Sequence, residues 1–266
     1  MNRVDVLASA DGSTIFLVTV SLLIVVAYGV RTMFLGRQPD PRVVRQGGSW
    51  LLGLWFMEAF YWAFKELGRL FVWLKVKPDT LTWTSLVICL LSAPAAAYGH
   101  FTRCGALLAV GTVFDSLDGF VARTRGIGSD RGEMLDAVVD RYADGAPLLG
   151  LVVFYRFSVW QMLIPFAALI GSFMLSYVRA KAEALDLDLP SGLMRRHERI
   201  VYIVAALSIG PELSPLFGHQ YGAVHPMTLA VIAFVALFSN HAALHLLAAA
   251  RRELQRVGRG AKKATT

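Results

Sequence analysis

Long apolar stretches are the feature that most constrains how this chain can fold. A helix needs about 20 mainly apolar residues to cross the hydrocarbon core of a bilayer. Seven segments approach that length, and the sixth has the shortest apolar run: 13–35, 80–99, 104–122, 136–155, 159–182, 192–210 and 226–249. The composition agrees, because 56% of the residues are hydrophobic and only 17% are charged, whereas about 25% are charged in a typical soluble domain. We therefore expect an all-α integral membrane protein.

The segment 49–75 has a different pattern from the seven apolar ones. With successive residues about 100° apart around a helix, its four charged side chains share an arc of about 100°: Glu58, Lys65, Glu66 and Arg69. The pattern is typical of an amphipathic helix in the membrane interface, and a further spanning helix is the alternative.

Basic residues predict the orientation of the chain in the membrane. They concentrate in the connections after the first, third and fifth apolar segments and in the C-terminal tail. Cytoplasmic loops carry an excess of Lys and Arg, so seven spans would put these connections in the cytoplasm and the N-terminus outside. We interpret the net charge of +7 in the same way, as attraction to anionic headgroups, and we expect no nucleic-acid partner.

Four aspartates interrupt the apolar pattern between the third and fourth segments. Asp115 and Asp118 are three residues apart at the end of one predicted helix, and Asp136 and Asp140 are four apart at the start of the next. On adjacent antiparallel helices the two pairs can converge. Carboxylates this close repel one another in a low dielectric and stay ionised only if cations offset them. All-oxygen ligands suit Mg²⁺ or Mn²⁺ bound together with substrate phosphates, and salt bridges to loop arginines are the alternative.

The spacing of this segment resembles a known signature. Asp115-x2-Asp118-Gly119-x2-Ala122-Arg123-x8-Gly132-x3-Asp136-x3-Asp140 matches all eight fixed positions of the CDP-alcohol phosphotransferase motif. The resemblance implies a catalytic domain of six transmembrane helices at 77–250, preceded by a juxtamembrane helix at 49–75. An extra N-terminal membrane anchor and linker would occupy 1–48, and a basic cytoplasmic tail would occupy 251–266.

The resemblance also implies a reaction, in which a substituted phosphate passes from a CDP-linked lipid to an alcohol and CMP is released. Its divalent ions, two of Mg²⁺ or Mn²⁺, would be bound by Asp115, Asp118, Asp136 and Asp140. Asp140 would in addition be the general base. The residues expected to bind the CDP-lipid are Asp118, Gly119, Ala122, Arg123 and Gly132. Members of the family are expected to be homodimers in the cell membrane.

Two later stretches, 176–185 and 192–200, resemble bacterial phosphatidylinositol phosphate synthases. The resemblance implies that four basic residues hold the phosphate of an acceptor: Arg179, Lys181, Arg196 and Arg199. Charges of an ordinary cytoplasmic loop are the alternative. An arginine expected in the last helix has its nearest match at Asn240 and His241.

These features together predict a phospholipid-synthesising transferase. It would move the phosphatidyl group of CDP-diacylglycerol to a phosphorylated alcohol, with inositol phosphate favoured and glycerol 3-phosphate, as in a phosphatidylglycerophosphate synthase, as the alternative. A divalent-cation transporter is the competing class. It would place ionisable residues near the middle of several helices, whereas the aspartates here cluster at one membrane face.

Overall fold

The computed structural model of the chain describes residues 12–36, 53–187, 189, 194–213 and 225–256. All regular structure within these ranges is helical, which confirms the all-α prediction. The helices are α1 (Gly12–Leu35), α2 (Gly53–Trp73), α3 (Pro78–Ala97), α4 (Phe101–Arg125), α5 (Asp130–Phe154), α6 (Val159–Glu183), α7 (Arg196–Ser208), α8 (Gly210–Leu213) and α9 (Pro226–Arg256).

Each of the seven predicted apolar segments contains a helix, and four of the described helices are long and apolar enough to cross a membrane: α3, α4, α6 and α9. Helix α5 begins at Asp130, six residues before the predicted start, and most of its charged residues lie in its first half. Helix α7 has only 13 residues, and the apolar stretch of α1 is confined to Thr19–Phe34. The chain is therefore a multi-pass membrane protein in which some helices have a mixed polar and apolar surface.

The chain divides into two compact units, each built from separated segments. The first unit contains residues 1–87 and 110–139, and the second contains 88–109 and 140–266. Helices α3, α4 and α5 contribute to both units.

Within the first unit, α1 packs on α2 through a buried polar contact. The Tyr28 hydroxyl donates a hydrogen bond of 3.2 Å to Glu58 Oε2, and the Tyr28 ring meets Trp55 edge-on. Glu58 is only 3% exposed, so one member of the predicted charged stripe of α2 faces α1. A carboxyl group can be buried at moderate cost when it is hydrogen-bonded. The interfacial position of α2 stays a prediction.

Aromatic side chains fix α2 against α4 in the same unit. Phe64 packs edge-on against Phe120, and Phe71 packs against Phe114. Gly68 makes the close approach possible, because a Cβ there would lie 2.4 Å from the Phe120 ring. Helix α2 therefore supports the part of α4 that carries Asp115 and Asp118.

In the second unit, α6 packs tightly against α9. Asn240 Nδ2 donates a hydrogen bond of 2.9 Å to the Ala167 carbonyl, and a Cβ on Gly171 would come within 2.5 Å of the same amide nitrogen. Asn240 therefore joins two helices, while His241 is exposed. The nearest match to the arginine expected in the last helix thus has a packing role.

A second close approach in this unit joins α3 and α5, and it generates a stability prediction. A Cβ at Gly150 would lie 2.3 Å from the Ala93 carbonyl oxygen and 2.7 Å from Ala96 Cβ. Since the obstacle is helix backbone, Gly150→Ala should cost about 1–3 kcal/mol of stability through overpacking. Thermal unfolding in detergent micelles measures the loss.

The matched control is Gly12→Ala, because a Cβ at Gly12 meets no atom within 4 Å. Its unfolding temperature should equal or slightly exceed that of the wild type. Wild-type stability in the Gly150→Ala variant would contradict the packing described for α3 and α5.

Candidate active site

Three of the four motif aspartates come together in the first unit. One carboxylate oxygen from each of Asp115, Asp118 and Asp136 lies within 4.8 Å of the other two. Asp115 and Asp118 are buried on α4, and Asp136 is half-buried on α5. We call these three residues the carboxylate cluster. The sequence predicted that the two aspartate pairs converge. The structure brings these three of the four residues together.

A threonine from α3 fixes one member of the carboxylate cluster. Thr82 Oγ1 donates a hydrogen bond of 2.5 Å to Asp118 Oδ2, and both side chains are buried. The bond restrains the orientation of the Asp118 carboxylate. This role could not be predicted from the sequence, because a lone threonine in an apolar helix is typical of packing and its partner is 36 residues away.

The carboxylate cluster has the donor chemistry of a divalent-metal site. Three buried or half-buried carboxylates at this separation need positive charge to offset their mutual repulsion. Oxygen ligands are those that Mg²⁺ and Mn²⁺ prefer. Asp140 is not part of the cluster. It lies one turn beyond Asp136 on α5, and an arginine contacts its carboxylate.

The first unit contains a cavity of about 650 Å³, which we call the nucleotide cavity. Asp118 and Asp136 line it. It is also lined by the other four residues expected to bind a CDP-lipid: Gly119, Ala122, Arg123 and Gly132. Side chains from the start of α3 complete the wall, including Lys77, Asp79 and Thr82. Sequence reasoning missed this contribution because α3 lies outside the motif.

Gly119 and Arg123 form a pair within this cavity. A Cβ on Gly119 would lie 2.9 Å from Arg123 Nη1, so the guanidinium folds back over the glycine, one turn away on α4. Nearby, Arg125 donates a hydrogen bond of 3.0 Å to the Val76 carbonyl, which ties the end of α4 to the connection between α2 and α3. The small residue at position 119 thus determines where the Arg123 guanidinium lies.

A second cavity, of about 200 Å³, lies in the second unit and is lined by five arginines: Arg141, Arg179, Arg195, Arg196 and Arg199. We call it the arginine cavity. Three of the four residues predicted to hold an acceptor phosphate are among them. Lys181 is exposed and does not line the cavity. Neither Arg141 nor Arg195 was assigned to this site from the sequence. Each is adjacent to a residue to which the resemblance had already given a role.

Two carboxylates of α5 bind the arginines of this cavity. Arg196 Nη2 lies 2.8 Å from Asp140 Oδ1, and Arg196 Nε lies 3.1 Å from Asp144 Oδ1. Arg141 Nη1 is 3.5 Å from Asp140 Oδ2. Asp144 was missed although its signal was present, since it follows Asp140 by one further helical turn on the same face.

The remaining arginines differ in their surroundings. Arg199 is only 3% exposed and donates hydrogen bonds to the Met194 carbonyl at 3.0 Å and to Ser176 Oγ at 3.3 Å. Arg179 lines the cavity, and no described carboxylate forms an ion pair with it. Glu183 also lines the cavity. Among the predicted phosphate-binding residues that line it, Arg179 is the one without such an ion pair.

Two known proteins are similar to this chain in sequence. Phosphatidylinositol phosphate synthase of Mycobacteroides abscessus is 38% identical over 151 residues, which are 54% of this chain and 66% of that protein. Archaetidylinositol phosphate synthase of Pyrococcus horikoshii is 35% identical over 143 residues, 53% of this chain and 74% of that one. The chain thus spans about two thirds of the length of the first of these relatives.

Solved structures share the fold. The crystal structure of Mycobacterium tuberculosis phosphatidylinositol phosphate synthase with CDP-DAG bound has a TM-score of 0.59 at 23% identity, over 70% of this chain and 92% of that one. The same protein in complex with manganese and citrate gives a TM-score of 0.61 at 24% identity, over 70% and 88%. The family model for CDP-alcohol phosphatidyltransferase matches residues 75–236, more than half of the chain. The chain therefore belongs to the CDP-alcohol phosphatidyltransferase family.

Proposed function

We propose that this protein transfers the phosphatidyl group of CDP-diacylglycerol to the hydroxyl of a phosphorylated alcohol and releases CMP. Inositol phosphate is the preferred acceptor in this proposal. The observation that carries it is the arginine cavity, in which five guanidinium groups surround a space of about 200 Å³. The relatives that make phosphatidylinositol phosphate and archaetidylinositol phosphate support the same acceptor.

The nucleotide cavity would bind the CDP-lipid. Asp115, Asp118 and Asp136 would hold the divalent metal, Mg²⁺ or Mn²⁺, and a second ion would also need ligands from the substrate or from Asp140. Bound metal neutralises the diphosphate and the CMP leaving group. The manganese complex of the M. tuberculosis protein supports this part of the proposal.

The protein's own residues would orient the substrate in that cavity. Arg123 contacts the phosphates, and the small side chains at Gly119, Ala122 and Gly132 let the nucleotide approach the helix backbone. Thr82 keeps the Asp118 carboxylate in one orientation through its hydrogen bond. These contacts hold the reacting phosphorus in a fixed position, and fixed geometry lowers the barrier of a bimolecular reaction.

Asp140 would be the general base. A carboxylate within hydrogen-bond reach of the acceptor hydroxyl can accept its proton as the new ester bond forms. Arg196 and Arg141 contact the two oxygens of Asp140, so its orientation is restrained. The proton moves from the hydroxyl to Asp140, and the CMP phosphate leaves with the electron pair of the broken P–O bond.

A phosphorylated acceptor fits the arginine cavity better than a neutral one. Arginine is suited to phosphate because its planar donors match the oxygens in pairs. Serine or free inositol would offer no phosphate to Arg179, which lines the cavity and forms no ion pair with a described carboxylate. Glycerol 3-phosphate shares the phosphate and is the second candidate. A cation transporter is disfavoured, because the described acids of α3, α6 and α9 all lie near helix ends: Asp79, Glu183 and Glu253.

The function is tested by CMP release from CDP-diacylglycerol by purified protein, with inositol phosphate, glycerol 3-phosphate, serine and inositol as acceptors. Release should require a phosphorylated acceptor and should stop when EDTA removes divalent metal. Asp140→Asn should lower kcat by about 10²–10⁴-fold, the usual contribution of a general base. A wild-type rate in that variant would contradict the role of Asp140, and CMP release with serine alone would contradict the acceptor class.

A paired substitution tests the arginine cavity. Arg179→Ala should raise the KM for inositol phosphate about ten- to a hundredfold, because a charge-assisted contact contributes about 1.5–3 kcal/mol. Lys181→Ala, two residues later on the same helix but outside the cavity, should change that KM less than about twofold, as expected of an exposed charge. Equal effects of the two substitutions would indicate that general loop charge, and not the cavity, attracts the acceptor.

We also propose that both cavities open to the cytoplasm of a plasma-membrane protein and that the protein is a homodimer. The basic connections support the orientation. A cysteine scan tests it, because Cys89 and Cys104 are buried and give little background labelling. On intact cells an impermeant thiol reagent should label Phe157→Cys, between α5 and α6, and should not label Ser129→Cys, between α4 and α5. Labelling of Ser129→Cys from outside would reverse the orientation.

A further inference from the structure

Asp144 has no role in the motif, yet it contacts both arginines of the first turn of α7. Its Oδ1 lies 3.1 Å from Arg196 Nε, and its Oδ2 lies 3.5 Å from Arg199 Nη2. The carboxylate is buried. One side chain of α5 thus binds two cations that line the arginine cavity.

Each of the two arginines needs this carboxylate for a different reason. Arg199 is almost fully buried, and a buried cation without an anion is strongly unfavourable. The Met194 carbonyl and Ser176 Oγ, which also accept hydrogen bonds from Arg199, are neutral. Asp144 is therefore the acid that offsets the Arg199 charge in the second unit.

Arg196 is held at two points by carboxylates one helical turn apart. Its Nε contacts Asp144, and its Nη2 contacts Asp140. Two contacts along one edge of a planar guanidinium fix both its position and the direction of its plane. Without Asp144 the group would lose its Nε contact, which is one of the two contacts that fix the direction of its plane.

We propose that Asp144 is a positioning residue for the acceptor phosphate, acting through Arg196 and Arg199. The inference rests on the proposed function, because it assigns the arginine cavity to a phosphorylated acceptor. Asp144 touches no reacting atom. It holds two phosphate-binding cations in place before the acceptor arrives and keeps Arg196 aligned with Asp140, so the acceptor hydroxyl is presented to its base.

The test is steady-state CMP release with CDP-diacylglycerol and inositol phosphate. Asp144→Asn keeps the side-chain shape and removes the charge, and it should raise the KM for inositol phosphate about tenfold or more, as misplaced binding groups do. The KM for CDP-diacylglycerol should stay within about twofold. Inorganic phosphate, used as a competitive inhibitor against inositol phosphate, should weaken by the same factor as the acceptor.

Two further variants make the test independent of folding. Asp144→Glu retains the charge with one extra methylene and should recover part of the acceptor affinity. Asp186→Asn is the matched control, since Asp186 is an exposed acid in the turn after α6, and asparagine tolerates its positive φ. It should match the wild type for both substrates.

A double substitution tests whether Asp144 acts through Arg196. In an Arg196→Ala background, Asp144→Asn should raise the acceptor KM by a clearly smaller factor than in the wild type. Fully additive effects, or equal losses for both substrates, would overturn the proposal. If the wild type uses inositol phosphate and Asp144→Asn matches it, this inference alone fails. If the wild type uses no phosphorylated acceptor, the proposed function fails and this inference with it.

Discussion

The electrostatic repulsion among buried carboxylates is the constraint on which the candidate site depends. Helices α4 and α5 carry six aspartates, and the fold offsets the charges of five of them in two ways. Asp140 and Asp144 face arginines that the protein itself supplies from the start of α7. Asp115, Asp118 and Asp136 converge on one another and suit a divalent ion from solution. Fixed arginines therefore offset the carboxylate charges in one unit, whereas an exchangeable metal ion can offset them in the other.

This division has a functional logic. A metal ion that arrives from solution can share its coordination with a diphosphate, whereas a guanidinium fixed by carboxylates keeps its position when the substrate leaves. The nucleotide cavity is thus built around oxygen ligands, and the arginine cavity is built around preformed cation positions. In the proposed function each cavity would bind one of two anionic substrates, which would explain how a single chain discriminates between two phosphate-containing molecules.

The sequence predicted the helices and the motif well because both depend on local spacing. Apolar length located seven of the helices, and the aspartate spacing located the carboxylate cluster. Features that depend on a distant partner were harder to predict. Thr82 bonds to a residue 36 positions away, Lys181 lies outside a cavity that Arg179 lines, and Asn240 joins two helices. Asp144 could have been predicted, because its i,i+4 spacing from Asp140 is visible in the sequence. It was missed because it lies just beyond the last residue of the motif.

The buried contact between Tyr28 and Glu58 limits how the protein can be shortened. The family match begins at residue 75, so a version trimmed to that region, or one that lacks only α1, would be a natural choice for crystallisation. Removing α1 alone would uncover the Glu58 carboxyl and the aromatic rings around it on a helix that also supports α4. Such a fragment would expose a surface of aromatic rings around one carboxyl group, and it would aggregate. Retaining α1, or replacing Glu58 by an apolar residue when α1 is removed, would avoid that difficulty.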